Sequence, residues 1–211
     1  MSVHLRPEEI EAESFRIIDA EVGPHDWPSA EWSIVRRAIH TSADFDYTRT
    51  MVISAEAVER GINALRAGCG IVTDTTMALS GINKGHLERF GIPAACFVAD
   101  PEVSAEAAHL GITRSILAIR KAANNPGNRI FVIGNAPTAL FELLRLVREE
   151  GIRPDLVVGL PVGFVGAEES KEELLREAPG RRIPFITNRG RKGGSNVAAA
   201  VVNALLRLAE R

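Results

Sequence analysis

Cysteine is almost absent from this 211-residue chain, which has only Cys69 and Cys96. Both lie in apolar, strand-like runs without metal-ligand spacing. They read as buried thiols of a reduced, cytoplasmic protein, and a disulfide framework is excluded. Net charge is nearly absent too: 25 Lys and Arg face 27 Asp and Glu, leaving −2. No global field draws such a chain to nucleic acid or to a membrane, so an anionic ligand must be met by local cations. Long hydrophobic runs are missing. The stretch 156–167 is uncharged but short, and glycine and proline interrupt it, so it does not span a bilayer. The N-terminal residues Met-Ser-Val-His-Leu-Arg-Pro are polar and have no apolar signal core, so export is not expected. No His, Cys, Asp or Glu cluster has zinc spacing, and neither Gly-x-Ser-x-Gly nor a Cys/His nucleophile pattern occurs.

What is present is 45% hydrophobic residues, enough for one core burying roughly 70% of the unfolded surface. Residues from about 5 to 68 read as helices. The first starts at Pro7, a good first-turn residue, and stops at Gly23-Pro24. The second runs from about Glu31 to Ile39. The third follows Ser54 as its cap and ends at Gly68. From about 69 to 210 an alternation sets in. Apolar runs at 69–73, 94–99, 129–133, 156–159 and 183–187 are followed by helical stretches at about 77–90, 113–123, 137–150, 168–177 and 195–209. This predicts one α/β domain, a mostly parallel sheet of about five strands with helices on both faces. Ligands of such sheets bind beyond the strand C-termini. The polar and glycine-rich turns fall at that edge: 73–77, 134–138, 159–166 and 190–195.

Three segments carry candidate chemistry. Gly190-Arg-Lys-Gly-Gly-Ser195 joins Arg191 and Lys192 to a flexible turn and a helix start, which suits carboxylates or phosphates. It is not a P-loop, because the lysine precedes the glycine pair. A solvated basic loop with a serine cap reads equally well. Gly134-Asn-Ala-Pro-Thr lacks the later glycines of a dinucleotide fingerprint and reads as well as a capped helix start. In Arg36-Arg37-Ala-Ile-His40-Thr-Ser-Ala-Asp44-Phe-Asp46 a histidine closes an apolar helix ahead of two carboxylates. An acidic neighbour would raise its pKa and keep it protonated for acid catalysis. The alternative is a histidine that only complements the helix dipole. His4, His25, His86 and His109 read as surface residues.

These segments together resemble the precorrin-8X and cobalt-precorrin-8 methylmutases of corrin-ring biosynthesis. The most specific are Ile39-His-Thr-Ser, Val132-Ile-Gly-Asn-Ala-Pro-Thr-Ala-Leu140, Pro161-Val-Gly-Phe-Val-Gly-Ala-Glu-Glu-Ser-Lys171 and Gly190–Ser195. The likeness runs from Glu13-Ser-Phe to Asn203-Ala-Leu and implies a single methylmutase domain over 1–211. Thr73-Asp-Thr-Thr-Met, Ser80-Gly-Ile-Asn-Lys and the His-Thr-Ser after Ile39 are more similar to the cobalt-using branch. The resemblance implies an isomerase that moves a methyl from ring carbon 11 to ring carbon 12 of a tetrapyrrole, giving hydrogenobyrinate or cobyrinate. It implies no cofactor and no methyl donor; cobalt enters only as part of the substrate. Carried onto this chain, it makes His40 the proton donor and acceptor. Ser14, Arg37, Arg114, Arg191 and Lys192 become substrate contacts. It further implies a homodimer with the macrocycle near the subunit interface, and handover of product to other corrin-pathway enzymes is open. Ala167-Glu-Glu-Ser departs from the family's two alanine-like positions before Glu-Ser-Lys. Rival readings are a corrinoid-binding or carrier protein without turnover and a nucleotide-dependent transferase.

Overall fold

The computed structural model describes residues 6–211. The chain opens with helices α1 (Pro7–Val22), α2 (Ser29–Ser42) and α3 (Tyr47–Thr50), then strand β1 (Met51–Ile53) and helix α4 (Ala57–Arg66). Strand β2 (Gly70–Thr73) leads to α5 (Thr76–Gly81) and α6 (Lys84–Phe90). Strand β3 (Ala94–Ala95) precedes α7 (Pro101–Leu110) and α8 (Arg114–Ala123). The last units are β4 (Asn128–Ile133) with α9 (Pro137–Arg145), β5 (Leu156–Gly159) with α10 (Ala167–Arg181), and β6 (Phe185–Asn188) with α11 (Ser195–Ala209).

The strands form one sheet in the order β1-β6-β5-β4-β2-β3. Every pairing is parallel except β1 with β6, which sets Met51 opposite Asn188 and Ile53 opposite Ile186 in antiparallel register. The mostly parallel α/β architecture expected from the alternation is therefore present, with six strands instead of about five. Successive side chains of a strand alternate between faces, and the two cores follow that alternation. Ile130, Val132, Leu156 and Val158 point to a core shared with α1, α2, α4 and α11. Phe131, Ile133 and Val157 point to a second core shared with α8, α9 and α10.

Several local expectations change. The stretch 77–90 is two helices, because Ile82 adopts an extended backbone and the Asn83 side chain caps α6, accepting from the His86 N–H at 3.1 Å. A helix, α7, intervenes before α8, starting with Pro101 in its first turn. Ser54 does not cap α4; its hydroxyl accepts the Phe185 N–H at 2.9 Å and ties the end of β1 to β6. Ser195 is the first residue of α11 and Gly194 its cap; the Ser195 hydroxyl pairs with that of Thr75 at 2.8 Å. Cys69 and Cys96 are half-buried, not buried, and both are free thiols. Among the described residues no helix is long and apolar enough to cross a membrane.

Candidate active site

Two of the glycine turns at the strand C-termini are closed by the protein itself. Asp74, 1% exposed, accepts the N–H groups of Gly134, Asn135 and Ala136 at 2.9, 2.8 and 2.7 Å. Those are the groups that a phosphate on this turn would need, so the nucleotide reading of Gly134–Thr138 fails. Gly193 is held at φ +159°, and a Cβ there would lie 2.2 Å from the Leu160 carbonyl oxygen. The glycine is required by backbone packed on backbone.

The titratable cluster lies where α2, α6 and α11 meet. Arg37, His40, Asn83, His86, Asn203 and Arg207 line a cavity of about 200 Å³. The spacing of Arg37 and His40 puts both on one side of α2, since residues three apart are neighbours on a helix. Ala200, Asn203 and Arg207 form the matching stripe of α11. Asn203 fixes the approach of α6 by accepting the Asn83 N–H at 2.8 Å and donating to the Gly81 carbonyl at 2.8 Å. Phe15, from α1, stands edge-on to the His40 ring with centroids 5.3 Å apart. The Arg36 and Arg37 guanidinium groups lie 4.3 and 4.7 Å from the centre of that phenyl ring. Larger grooves, of about 450 and 590 Å³, lie elsewhere and hold no imidazole.

The electrostatics of His40 differ from the sequence expectation. Its pKa is lowered from the ordinary value, first by burial and then by the Arg37 charge; Glu11 pulls it upward and Arg207 downward. The carboxylates that follow it in sequence do not raise it, because Asp44 and Asp46 both face the Lys192 ammonium at 2.6 Å. The site therefore holds an imidazole poised toward its neutral form beside two guanidinium groups.

The other named residues fall in four places. Arg37 is 13% exposed and shares the cavity with His40. Lys192 reaches the loop that follows α2 through its two aspartates, and Arg191 lies 3.7 Å from Glu168 and 5.8 Å from the centre of the exposed Phe164 ring. Ser14, half-buried on α1, donates to the Ile10 carbonyl at 2.8 Å. Arg114 is exposed at the start of α8, and α8 packs in the core on the opposite sheet face from α2. One chain does not bring Arg114 to His40.

His86, Asn203, Arg207 and Glu11 escaped the sequence reading. His86 is not simply a surface residue: its Nδ1 lies 2.9 Å from Glu210, and it lines the His40 cavity. The Asn83 cap three residues before it is the local signal that could have placed it at a helix start. Arg207 repeats on the same α11 stripe as Asn203, a helical spacing visible in the sequence. Nothing local marks Glu11.

Fold and site thus define a parallel α/β protein with an imidazole in a guanidinium-walled cavity, suited to proton transfer on a polyanion. A family model described as precorrin-8X methylmutase matches residues 9–208. The chain is 50% identical to the cobalt-precorrin-8 methylmutase of Salmonella typhimurium, over 95% of each chain. It is 48% identical to the enzyme of that name from Leptospira interrogans, over 96% of this chain and 94% of the relative. To the precorrin-8X methylmutase of a Sinorhizobium species it is 38% identical, over 92% and 91%. Among solved structures, the precorrin-8x methyl mutase of Thermus thermophilus superposes with a TM-score of 0.85 at 43% identity, covering 95% of this chain and 97% of that one. The chain belongs to the precorrin-8X methylmutase family.

Proposed function

We propose that the protein is an isomerase of cobalamin biosynthesis that moves the methyl of ring carbon 11 to ring carbon 12 of precorrin-8X or its cobalt form, giving hydrogenobyrinate or cobyrinate. The observation that carries this reading is His40 sharing one cavity with Arg37 and Arg207, on a chain of this family. The cobalt form is the expected substrate, supported by the two relatives of that name at 48 and 50% identity. A corrinoid carrier without turnover would have no use for a half-buried imidazole so placed.

The mechanism is an internal rearrangement. The bond from the methyl to carbon 11 breaks as the bond to carbon 12 forms, and nothing enters or leaves overall. In its imidazolium form His40 lends a proton to the macrocycle, making the conjugated system electron-poor, and takes one back when the corrin is formed. Such acid–base assistance contributes roughly 10²–10⁴-fold. The guanidinium groups hold the acetate and propionate arms in forked geometry, so that binding energy from distant arms bends the ring toward its reactive shape. The rearrangement consumes no methyl donor, and the reading assigns no resident cofactor or metal.

The same reading includes a cytoplasmic homodimer. Pockets that enclose drug-sized ligands run to about 300–1,000 Å³, and a tetrapyrrole with its arms exceeds that class. The His40 cavity, about 200 Å³, accepts only an edge of such a ring. A second copy supplying the remaining wall accounts for two facts. Phe164 and Val165, in the loop after β5, are 86% and 89% exposed, and Arg114 stands apart from His40 within one chain.

The test mixes purified protein with metal-free and cobalt-loaded precorrin-8 separately and follows the visible spectrum. Appearance of the corrin chromophore is expected; its absence with both substrates would remove the enzyme reading. His40→Ala is expected to bind product but convert substrate poorly.

A further inference from the structure

Arg37 and Arg207 line both the His40 cavity and an adjoining one of about 80 Å³, so their guanidinium groups form the wall between the two. Two cations in one wall repel, and among the described residues one anion, from α1, holds them together. Glu11 Oε1 accepts from Arg37 Nη1 at 2.5 Å. Arg207 straddles the same carboxylate, donating from Nη1 to Oε2 at 2.7 Å and from Nη2 to Oε1 at 3.4 Å. This is the fork by which arginine grips a free carboxylate. The trio keeps one positive charge in excess, and the neighbouring Arg36 is already matched by Asp19 at 2.7 Å. Arg37 is far from saturated: a guanidinium has five N–H donors, and among the described residues only Nη1 donates. Its Cζ stands 4.7 Å from the centre of the Phe15 ring. Glu11 is one-third exposed and Arg207 half-exposed, so water can reach the contact. An ion pair in that setting is weak enough to exchange.

We propose that Arg37 and Arg207 together form the receptor for one carboxylate arm of the substrate, and that Glu11 is an internal stand-in for that arm, given up by Arg207 when the substrate enters. The proposal rests on the methylmutase reading and adds two residues to it. Arg207 becomes a substrate-binding residue. Glu11 becomes a competitor that keeps the empty receptor from collapsing or repelling itself apart. It also explains why a carboxylate with a pKa held down to about 2 by Arg37 and Arg207 sits beside a site for polycarboxylates. At any working pH this carboxylate is an anion, so it can compete with another.

The test is equilibrium binding of the product, cobyrinate, followed by quenching of Trp27 and Trp32 fluorescence, on wild type, Glu11→Gln, Arg207→Gln, Arg207→Lys and the Glu11→Gln/Arg207→Gln pair. Glu11→Gln is expected to bind at least threefold tighter while its melting temperature falls, because the α1–α11 contact is lost. Arg207→Gln is expected to bind at least tenfold weaker and Arg207→Lys to fall between, with KM rising. In the double variant the gain from Glu11→Gln should vanish. A merely structural Glu11 predicts the opposite sign, so weaker or unchanged binding by a cooperatively melting Glu11→Gln overturns the proposal. So does unchanged binding by Arg207→Gln. If wild type binds no cobyrinate and converts neither form of precorrin-8, the methylmutase reading falls and takes this one with it. Normal wild-type behaviour with indifferent variants overturns the stand-in alone.

Discussion

Replacing Lys171 by methionine is expected to leave the protein as stable as wild type near pH 7 and less stable than wild type in alkali. Lys171 lies in α10 with 0% exposure. Its ammonium donates to the Lys192 carbonyl at 2.7 Å and to Asn188 Oδ1 at 3.3 Å, neither of which carries a charge. Burial pushes its pKa down to about 8 from 10.5, eased only in part by Glu168 and Glu172. That depression makes the buried charge cost about 3 kcal/mol at neutral pH. The two hydrogen bonds return about 2–3 kcal/mol, and methionine fills a similar volume. The terms nearly cancel at pH 7.

The sign in alkali follows from proton counting. Between pH 8 and 10.5 the unfolded lysine still holds its proton while the folded one has lost it. The unfolded state then binds more protons, so stability rises with pH. From pH 7 to 9.5 this contributes about 2 kcal/mol to wild type and nothing to Lys171→Met. Tyr47, pushed up to about 12 by burial, and Cys69, also raised by burial, act in the opposite direction above their ordinary values. Both variants share them, so the difference between variants isolates Lys171. Urea unfolding of both proteins at pH 7, 8.5 and 9.5 measures it. A difference that stays constant with pH, or a loss above about 4 kcal/mol already at pH 7, would refute the reasoning.

Three further outcomes are expected. For the free enzyme, kcat/KM should decline as pH rises through a value below the ordinary histidine range, because burial and Arg37 depress His40; a decline at or above that range would mean another group supplies the proton. Gly193→Ala should cost about 3 kcal/mol or more, read as a lower urea midpoint, since its methyl would fall 2.2 Å from the Leu160 oxygen. Replacing Phe164 and Val165 together by serine should shift a homodimer toward monomer on size exclusion with multi-angle light scattering, by a loss of about 2–4 kcal/mol of association energy; an unchanged dimer would place the interface elsewhere.

The fold was legible wherever an element had its own local signature. Ile130–Ile133 and Leu156–Gly159 are apolar runs closed by glycine turns, and each is a strand buried on both faces. Strand β1 left no such trace: it has three residues, flanked by hydroxyl side chains, and exists because β6 offers an antiparallel edge. The break at Ile82 was hidden because the apolar spacing of α5 continues into α6. At the site, His40 and Arg37 were legible together because one helix carries both. Glu11 and Arg207 are 196 positions apart in the chain, and only packing of α1 and α11 around α2 makes them partners. The pKa direction of His40 was misjudged for the same reason. Asp44 and Asp46 are near it in sequence, but Lys192 claims them in space.

The packing of α2 on α11 has a further consequence for how this protein is born. Helix α2 leaves the ribosome well before the helix that covers it, Ser195–Ala209. Synthesis runs at about 5–20 residues per second, so the histidine-bearing helix waits on the order of 10–30 seconds for its lid. Until then its apolar stripe of Ile34, Val35, Ala38 and Ile39 stays open to water and to chaperones. A chain cut short before residue 195 could assemble much of the sheet and still have no pocket around its imidazole. The cavity around His40 therefore closes only once α11 has packed on α2.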